Sequence, residues 1–330
     1  MIRAVALMLA VAVFAAGVLA AASSGARQTP RTIGLVIPAP SGSPISPEVE
    51  KGGRSAAAAL GDRLVVIAAS VGTIQPLIAH HAAAIIVDND GGGWTYKALV
   101  QARSAGVPTV SYEQAWPGSV WVSQSSSAQY SHALADALAT QMNQRGQYLI
   151  VPCQPAEDIV QTWLKETKTY IRRRYPGMHL AGVVYGATGN GDAGTLVLKP
   201  VLKAHPQVRG LDFLCPSESY TGPPQLIKDH EVGKVFSAGN GADCPPLYSA
   251  YAWNVRRGAE QIVCAGDPTK LGYLTVWAAD YLARGHKLAP GSYDVGGPVG
   301  TVRYYGQNDE LRLGRPLTIT KVNLGQYAGK

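Results

Sequence analysis

Charge is scarce in this sequence. Only 15% of its 330 residues are Asp, Glu, Lys or Arg, and the acids are the rarer kind, 22 against 29 bases. The formal net charge of +7 therefore reflects few acids rather than many bases. No basic stretch is interleaved with aromatics, which argues against a nucleic-acid-binding face. The one basic run, Arg172-Arg173-Arg174, ends a predicted helix, where the helix dipole favours cations, and reads as a solvated helix terminus. Cysteine is scarce too. The four present show no CxxC and no metal-site spacing, which excludes a disulfide-dense mini-scaffold. Catalytic signatures are missing: there is no GxSxG elbow, no HExxH and no Cys paired with a nearby His. Collagen-like and heptad repeats are absent, and beyond the first segment no apolar run approaches bilayer-spanning length.

What is present is an apolar, Gly-rich chain, 46% hydrophobic with 37 Gly. Its length suits about two domains of ~150 residues. Arg3 followed by an apolar run over 4–18 and small residues at Ala20, Ala21 and Ala22 reads as a secretory signal peptide over 1–22. An uncleaved anchor is the alternative, because the run over 4–22 has 19 residues. There is neither a Cys near the cleavage site for a lipid anchor nor a twin arginine. Export is expected, most naturally to a bacterial periplasm, and a polar, disordered lead follows over 23–32. An oxidising compartment permits disulfides. Cys153, Cys215, Cys244 and Cys264 allow three connectivities, with buried unpaired thiols as the alternative.

Strands and helices then alternate. Apolar strands are predicted at 33–38, 64–69, 83–87, 107–112 and 120–122, with helices at 48–60 and 96–105 and a short segment at 73–81. The pattern restarts with helices at 127–143, 160–175, 195–204, 248–257 and 269–284. Its strands fall at 148–151, 180–185, 211–214, 234–238 and 261–264, with a short helix at 225–229. The tail over 292–320 reads as irregular strands. Uniformly apolar strands alternating with helices define parallel sheets covered on both faces. The fold class is therefore α/β, with two doubly wound lobes. Ligands of such sheets bind beyond the carboxyl ends of the strands, here in the cleft between lobes.

One motif invites a nucleotide reading. Residues 189–194 (GNGDAG) form a literal GxGxxG, with Asp212 eighteen residues beyond its last Gly. It follows the second strand of its set rather than the first, and Asp212 opens the next strand rather than ending it. A flexible Gly-rich loop is the better reading. The pair His80-His81 reads as a helix end, and Asp88 with Asp90 as a polar loop rather than a metal site. Polar and aromatic residues do recur at strand ends: Ser41, Ser43, Asn89, Asp90, Tyr112, Glu113, Asn190, Ser217, Asn240 and Asp267. Carboxylates and amides pair with hydroxyls, and aromatic faces cover sugar rings. That inventory suits a small polyhydroxylated ligand.

Several stretches resemble the periplasmic sugar-binding proteins of bacterial ABC importers, nearest the rhamnose and autoinducer-2 binding branch. They are AAAIIV (82–87), ARSAGVPTVSYE (102–113), QTWLKE (161–166) with Tyr175-Pro176, LKAHPQVRG (202–210), DPTKLGYL (267–274), LGRP (313–316) and NLGQY (323–327). The resemblance implies a type I binding protein whose chain crosses between lobes near Ser125, Gly266 and Lys287. The N-terminal lobe would comprise 33–125 plus 267–287, and the C-terminal lobe 126–266 plus 288–330. The implied function is capture of a sugar-like ligand and delivery to a membrane permease, by a monomer with neither cofactor nor metal and no catalytic role. A sensory or adaptor protein with an altered pocket is the alternative. Glu113, Gln161, Asn240 and Asp267 match polar positions of the family. Gly266 stands where the family often has Trp, and Ile159-Val160 replaces a polar pair. In this fold Cys153 and Cys215 would end neighbouring strands, which makes them a plausible pair and leaves Cys244 with Cys264.

Overall fold

A computed structural model describes residues 29–37, 45–68, 74–89, 93–153, 158–185, 193–241 and 245–327. The expected signal segment 1–22 and most of the polar lead lie outside these residues, as do Ser41, Ser43, Asp90, Asn190, Cys244 and most of the 189–194 motif. Among the described residues no helix is long and apolar enough to cross a membrane.

The chain first builds β1 (Thr32–Ile37), α1 (Ser46–Leu60), β2 (Arg63–Ala68), α2 (Gln75–Ala79), β3 (Ala84–Asn89), α3 (Gly93–Ser104), β4 (Thr109–Glu113) and β5 (Val120–Ser123). It continues with α4 (Ser127–Gln141), β6 (Gly146–Val151), α5 (Asp158–Arg174), β7 (Met178–Val183), α6 (Ala193–Ala204), β8 (Val208–Phe213), α7 (Pro216–Lys228), β9 (Phe236–Asn240), α8 (Pro245–Arg256) and β10 (Ile262–Ala265). Then come α9 (Pro268–Ala283), β11 (Gly291–Asp294), β12 (Thr301–Tyr305), β13 (Glu310–Arg312) and β14 (Leu317–Thr320).

Two sheets result. One runs β11-β12-β13-β5-β4-β3-β1-β2 and the other β14-β10-β9-β8-β6-β7. Each contains five parallel strands in the doubly wound order 2-1-3-4-5. Continuous apolar strands fit this because both faces are covered: all six residues of β3 are buried. Helix α9 returns to the first lobe and packs on α1. The approach is close enough that a Cβ on Gly52 would collide with the Thr269 carbonyl, and one on Gly272 with the Val49 carbonyl.

The tail departs from the expected division. The sequence places 288–330 wholly in the second lobe, but β11, β12 and β13 all join the first sheet. Alternation explains it: Val302 and Tyr304 on β12 and Leu311 on β13 are buried in the core that α9 also covers. Tyr293 on β11 packs edge-on against Trp277 and Tyr281 of α9. The third crossing therefore lies between β13 and β14, not near Lys287. Among the described residues of the tail, β14 alone reaches the second sheet, antiparallel to β10.

Helix α7 is the other departure. The sequence suggests a short helix over 225–229, because Gly222, Pro223 and Pro224 look like a break. The helix instead runs thirteen residues through them. Pro216 occupies its first turn, where no intrahelical donor is lost. Gly222 is required there: a Cβ would overlap the Phe213 ring.

Cys153 and Cys215 form a disulfide, Cα to Cα 5.8 Å, joining the ends of β6 and β8. The expected pairing of Cys244 with Cys264 does not form, because Cys264 is a free, buried thiol.

Candidate functional site

The carboxyl ends of the two parallel sheets face a cleft of about 670 Å³. Its floor is the hinge. Strand β5 runs into Gln124, Ser125 and Ser126, and Ser126 caps α4. The Ser126 hydroxyl accepts the Gln129 N–H at 3.2 Å, while the Gln129 side chain accepts the Ser126 N–H at 2.9 Å. This capping box fixes the point where the chain enters the second lobe. The third crossing lies beside the first. Leu313 N–H donates to the Ser123 carbonyl and Gly314 N–H to the Gln124 carbonyl, both at 2.8 Å. The second crossing passes Gly266. A Cβ on Gly266 would fall on the end of the Gln124 side chain, so a larger residue at 266 would require that amide to swing aside.

Glu113 ends β4 and lines the cleft. Its φ of 65° lies in the left-handed region, which costs a residue other than glycine on the order of 1 kcal/mol. The turn is held from outside: the Asn89 amide donates to the Gln114 carbonyl at 2.9 Å and to the Ala115 carbonyl at 3.3 Å. Asn240 ends β9 and lines the opposite wall, with Nδ2 donating to the Leu214 carbonyl at 3.2 Å. These two are the sequence-derived residues that the described cleft brings together.

The others fall elsewhere. Tyr112 is fully buried in the first-lobe core, because adjacent strand residues face opposite sides and Glu113 takes the cleft side. Burial, with the negative charge of Asp88 beside it, raises its phenol well above the ordinary range. Asp88 is equally buried and is not part of a cleft loop. Gln161 is exposed on α5, whereas Ile159 and Trp163, one helical turn apart, line the cleft. Ser217 donates to the neighbouring Glu218 carboxylate, and Pro216 beside it reaches the cleft instead. Asp267 sits at the second crossing. It caps α9 by accepting the Lys270 N–H at 3.0 Å and lines a smaller hinge cavity of about 140 Å³.

Sequence reasoning missed much of the lining. Trp121 and Tyr130 contribute aromatic surface together with Trp163, and Ser123 to Ser127 bring a run of small polar groups. The tail contributes Asn308, Glu310 and Arg312. The signal for the last two was the alternation Glu310-Leu311-Arg312, a polar pair flanking one core residue.

Two further carboxyls lie deep in the second lobe, away from the cleft. Asp212 on β8 is completely buried, and burial raises its carboxyl to about 7. Glu260 is also raised by burial, although it accepts the Ser219 hydroxyl at 2.8 Å. Cys264 is pushed upward by burial and by the charges of Asp212 and Glu260, which marks an inert thiol.

Two doubly wound lobes, three crossings and a cleft lined with aromatic and polar groups are the build of a type I periplasmic binding protein. The chain belongs to the periplasmic binding protein domain family, whose description matches residues 33–287. Solved structures share the fold. A sugar ABC transporter protein from Actinomyces odontolyticus ATCC 17982 superposes with a TM-score of 0.79 at 21% identity, covering 90% of this chain and 97% of its own. A solute-binding protein from Clostridium phytofermentas with bound L-rhamnose gives 0.66 at 21% identity, covering 91% and 98%. One from Actinobacillus succinogenes 130z with bound D-allose gives 0.64 at 17%, covering 90% and 100%. No curated protein matches the chain by sequence.

Proposed function

We propose that this chain is an exported solute-binding protein that captures a small sugar or sugar-like molecule and delivers it to the permease of an ABC importer. The observation that carries this is the interlobe cleft. Trp121, Trp163 and Tyr130 offer ring surfaces for the apolar face of a sugar, and Glu113, Asn240 and the serines offer hydroxyl partners. The bound L-rhamnose and D-allose of proteins sharing the fold support the same ligand class. The mechanism is hinge closure about the crossings at Gln124, Gly266 and Gly314, with ligand stabilising a closed state already accessible to the free protein. The segment 1–22 supplies the export signal, and the mature chain acts as a monomer by binding, not by catalysis. Beyond Glu113 and Asn240, the sequence reading alone adds Ser41, Ser43, Asp90 and Asn190, which lie outside the described residues.

Thermal unfolding with L-rhamnose, D-allose, D-arabinose, D-galactose and D-glucose tests this. At a hundredfold excess over Kd a true ligand adds about 2.7 kcal/mol of stability. Trp163→Ala is expected to weaken the best ligand about thirtyfold, or ~2 kcal/mol, the cost of losing a buried aromatic anchor. If none of these sugars moves the melting temperature at 10 mM, where ~ mM affinities still register, the sugar reading is lost.

A further inference from the structure

Strand β13 brings a charged pair into the cleft. Glu310 and Arg312 share one face of the strand, and Leu311 between them is buried in the first-lobe core. Register sets Glu310 opposite Trp121 and Arg312 opposite Ser123 on β5. The guanidinium donates twice to the carboxylate, Nε to Oε1 at 2.9 Å and Nη2 to Oε2 at 2.7 Å. The Ser123 hydroxyl donates to the same Oε1. The Tyr305 ring lies 4.3 Å from the guanidinium carbon. The Glu310 side chain is only 6% exposed and that of Arg312 only 20%, so the fork is fixed before a ligand arrives.

This arrangement decides what the cleft can favour. A guanidinium carries five N–H donors, and only two N–H groups are spent on Glu310. The rest remain for ligand oxygens, but the positive charge is already matched. An anionic ligand gains little from such a cation and also meets Glu113, a second carboxylate of the lining. A neutral polyol takes the fixed donors without that repulsion. We propose that the Glu310–Arg312 pair is the specificity determinant of the cleft, selecting uncharged polyhydroxylated ligands against their carboxylate derivatives. The inference rests on the reading of the cleft as a sugar site and deepens it: Arg312 supplies donors, and Glu310 cancels the charge that would otherwise attract acids.

Titration calorimetry on the full mature chain tests this with D-galactose, D-glucose, L-rhamnose, D-galacturonate and D-glucuronate. The wild type is expected to bind its best neutral sugar at least ~100-fold more tightly than either uronate, a gap that one unfavourable buried charge contact supplies. Glu310→Gln keeps the shape but leaves Arg312 uncompensated, and narrows that ratio at least ~10-fold. Arg312→Lys keeps the charge but loses the planar fork, weakening neutral sugars by about 10-fold while uronates stay excluded. Should Glu310→Gln fail to fold, the wild-type ratio and the Arg312→Lys loss decide the matter. A wild type that binds uronates as tightly as neutral sugars overturns the selection, as does a ratio that Glu310→Gln leaves unchanged. In both cases the sugar site stands. Absence of binding by every one of the five compounds overturns the sugar site itself, and the selection with it.

Discussion

Asp212→Asn is expected to make the protein more stable than the wild type at pH 8, by a margin that disappears toward pH 4. Asp212 is the penultimate residue of β8, near its end rather than its start as the sequence suggests, and pairs with Ile150 on β6 and Ala238 on β9. It is completely buried, and neither carboxylate oxygen has a hydrogen-bond partner among the described residues. Desolvation alone raises its carboxyl from the ordinary 3.8 to about 7. Between those values the folded chain holds a proton that the unfolded chain has released, so stability falls as the pH rises. The contribution is complete below about pH 4 and gone above about pH 7, and at 1.36 kcal/mol per pH unit it amounts to about 4 kcal/mol. The amide cannot ionise and carries no such slope. Neighbouring groups agree with the placement: Tyr148 is pushed up to about 12 by burial and then by the charge of Asp212. Urea unfolding of both proteins from pH 4 to 8 measures the effect. Glu260 and Asp62 are raised as well and shape the wild-type profile, so the quantity to read is the difference between the two proteins. A difference that stays constant across that range sinks the assignment.

Gly52→Ala is expected to cost at least ~3 kcal/mol, the upper end for overpacking, while Gly53→Ala, one residue along, changes stability by less than ~1 kcal/mol. Both glycines lie on the buried face of α1. A Cβ on Gly52 would overlap the Thr269 carbonyl oxygen and stand 3.0 Å from the Tyr273 backbone nitrogen. Backbone cannot rotate away, so α1 and α9 would have to separate. A Cβ on Gly53 meets the tips of Leu64 and Val276 at 3.1 Å, and those side chains can yield. Alanine also favours the helix by about 0.8–1 kcal/mol over glycine, which offsets the crowding. Gly272→Ala should resemble Gly52→Ala, because its Cβ would strike the Val49 carbonyl from the other helix. Equal effects at 52 and 53 in denaturant unfolding would contradict this account of the helix contact.

The two lobes were legible because their strands are uniformly apolar and their helices end at recognisable stops such as Gly61 and Gly106. The return of α9 to the first lobe was legible only through the resemblance. Residues at strand ends were harder. Glu113 could be placed beside a ligand, yet Tyr112 could not be excluded, since a one-residue shift turns a strand side chain from the cleft to the core. Gln161 matches the family helix, but the helical period carries Ile159 and Trp163 to the cleft and turns Gln161 outward.

The class follows from local pattern alone: an alternation of buried strands and helices that occurs twice admits little but two doubly wound sheets with facing ligand ends. The course of the tail, and the chemistry it carries, depends on long-range packing. The hydrogen bond from Ser123 to Glu310 joins residues 187 positions apart. Periodicity reports which face of an element is buried, but not which distant element covers it. The placement of β13 beside β5 depends on Val302, Tyr304 and Leu311 finding the core under α9. That long-range packing is what carries Glu310 and Arg312 into the cleft.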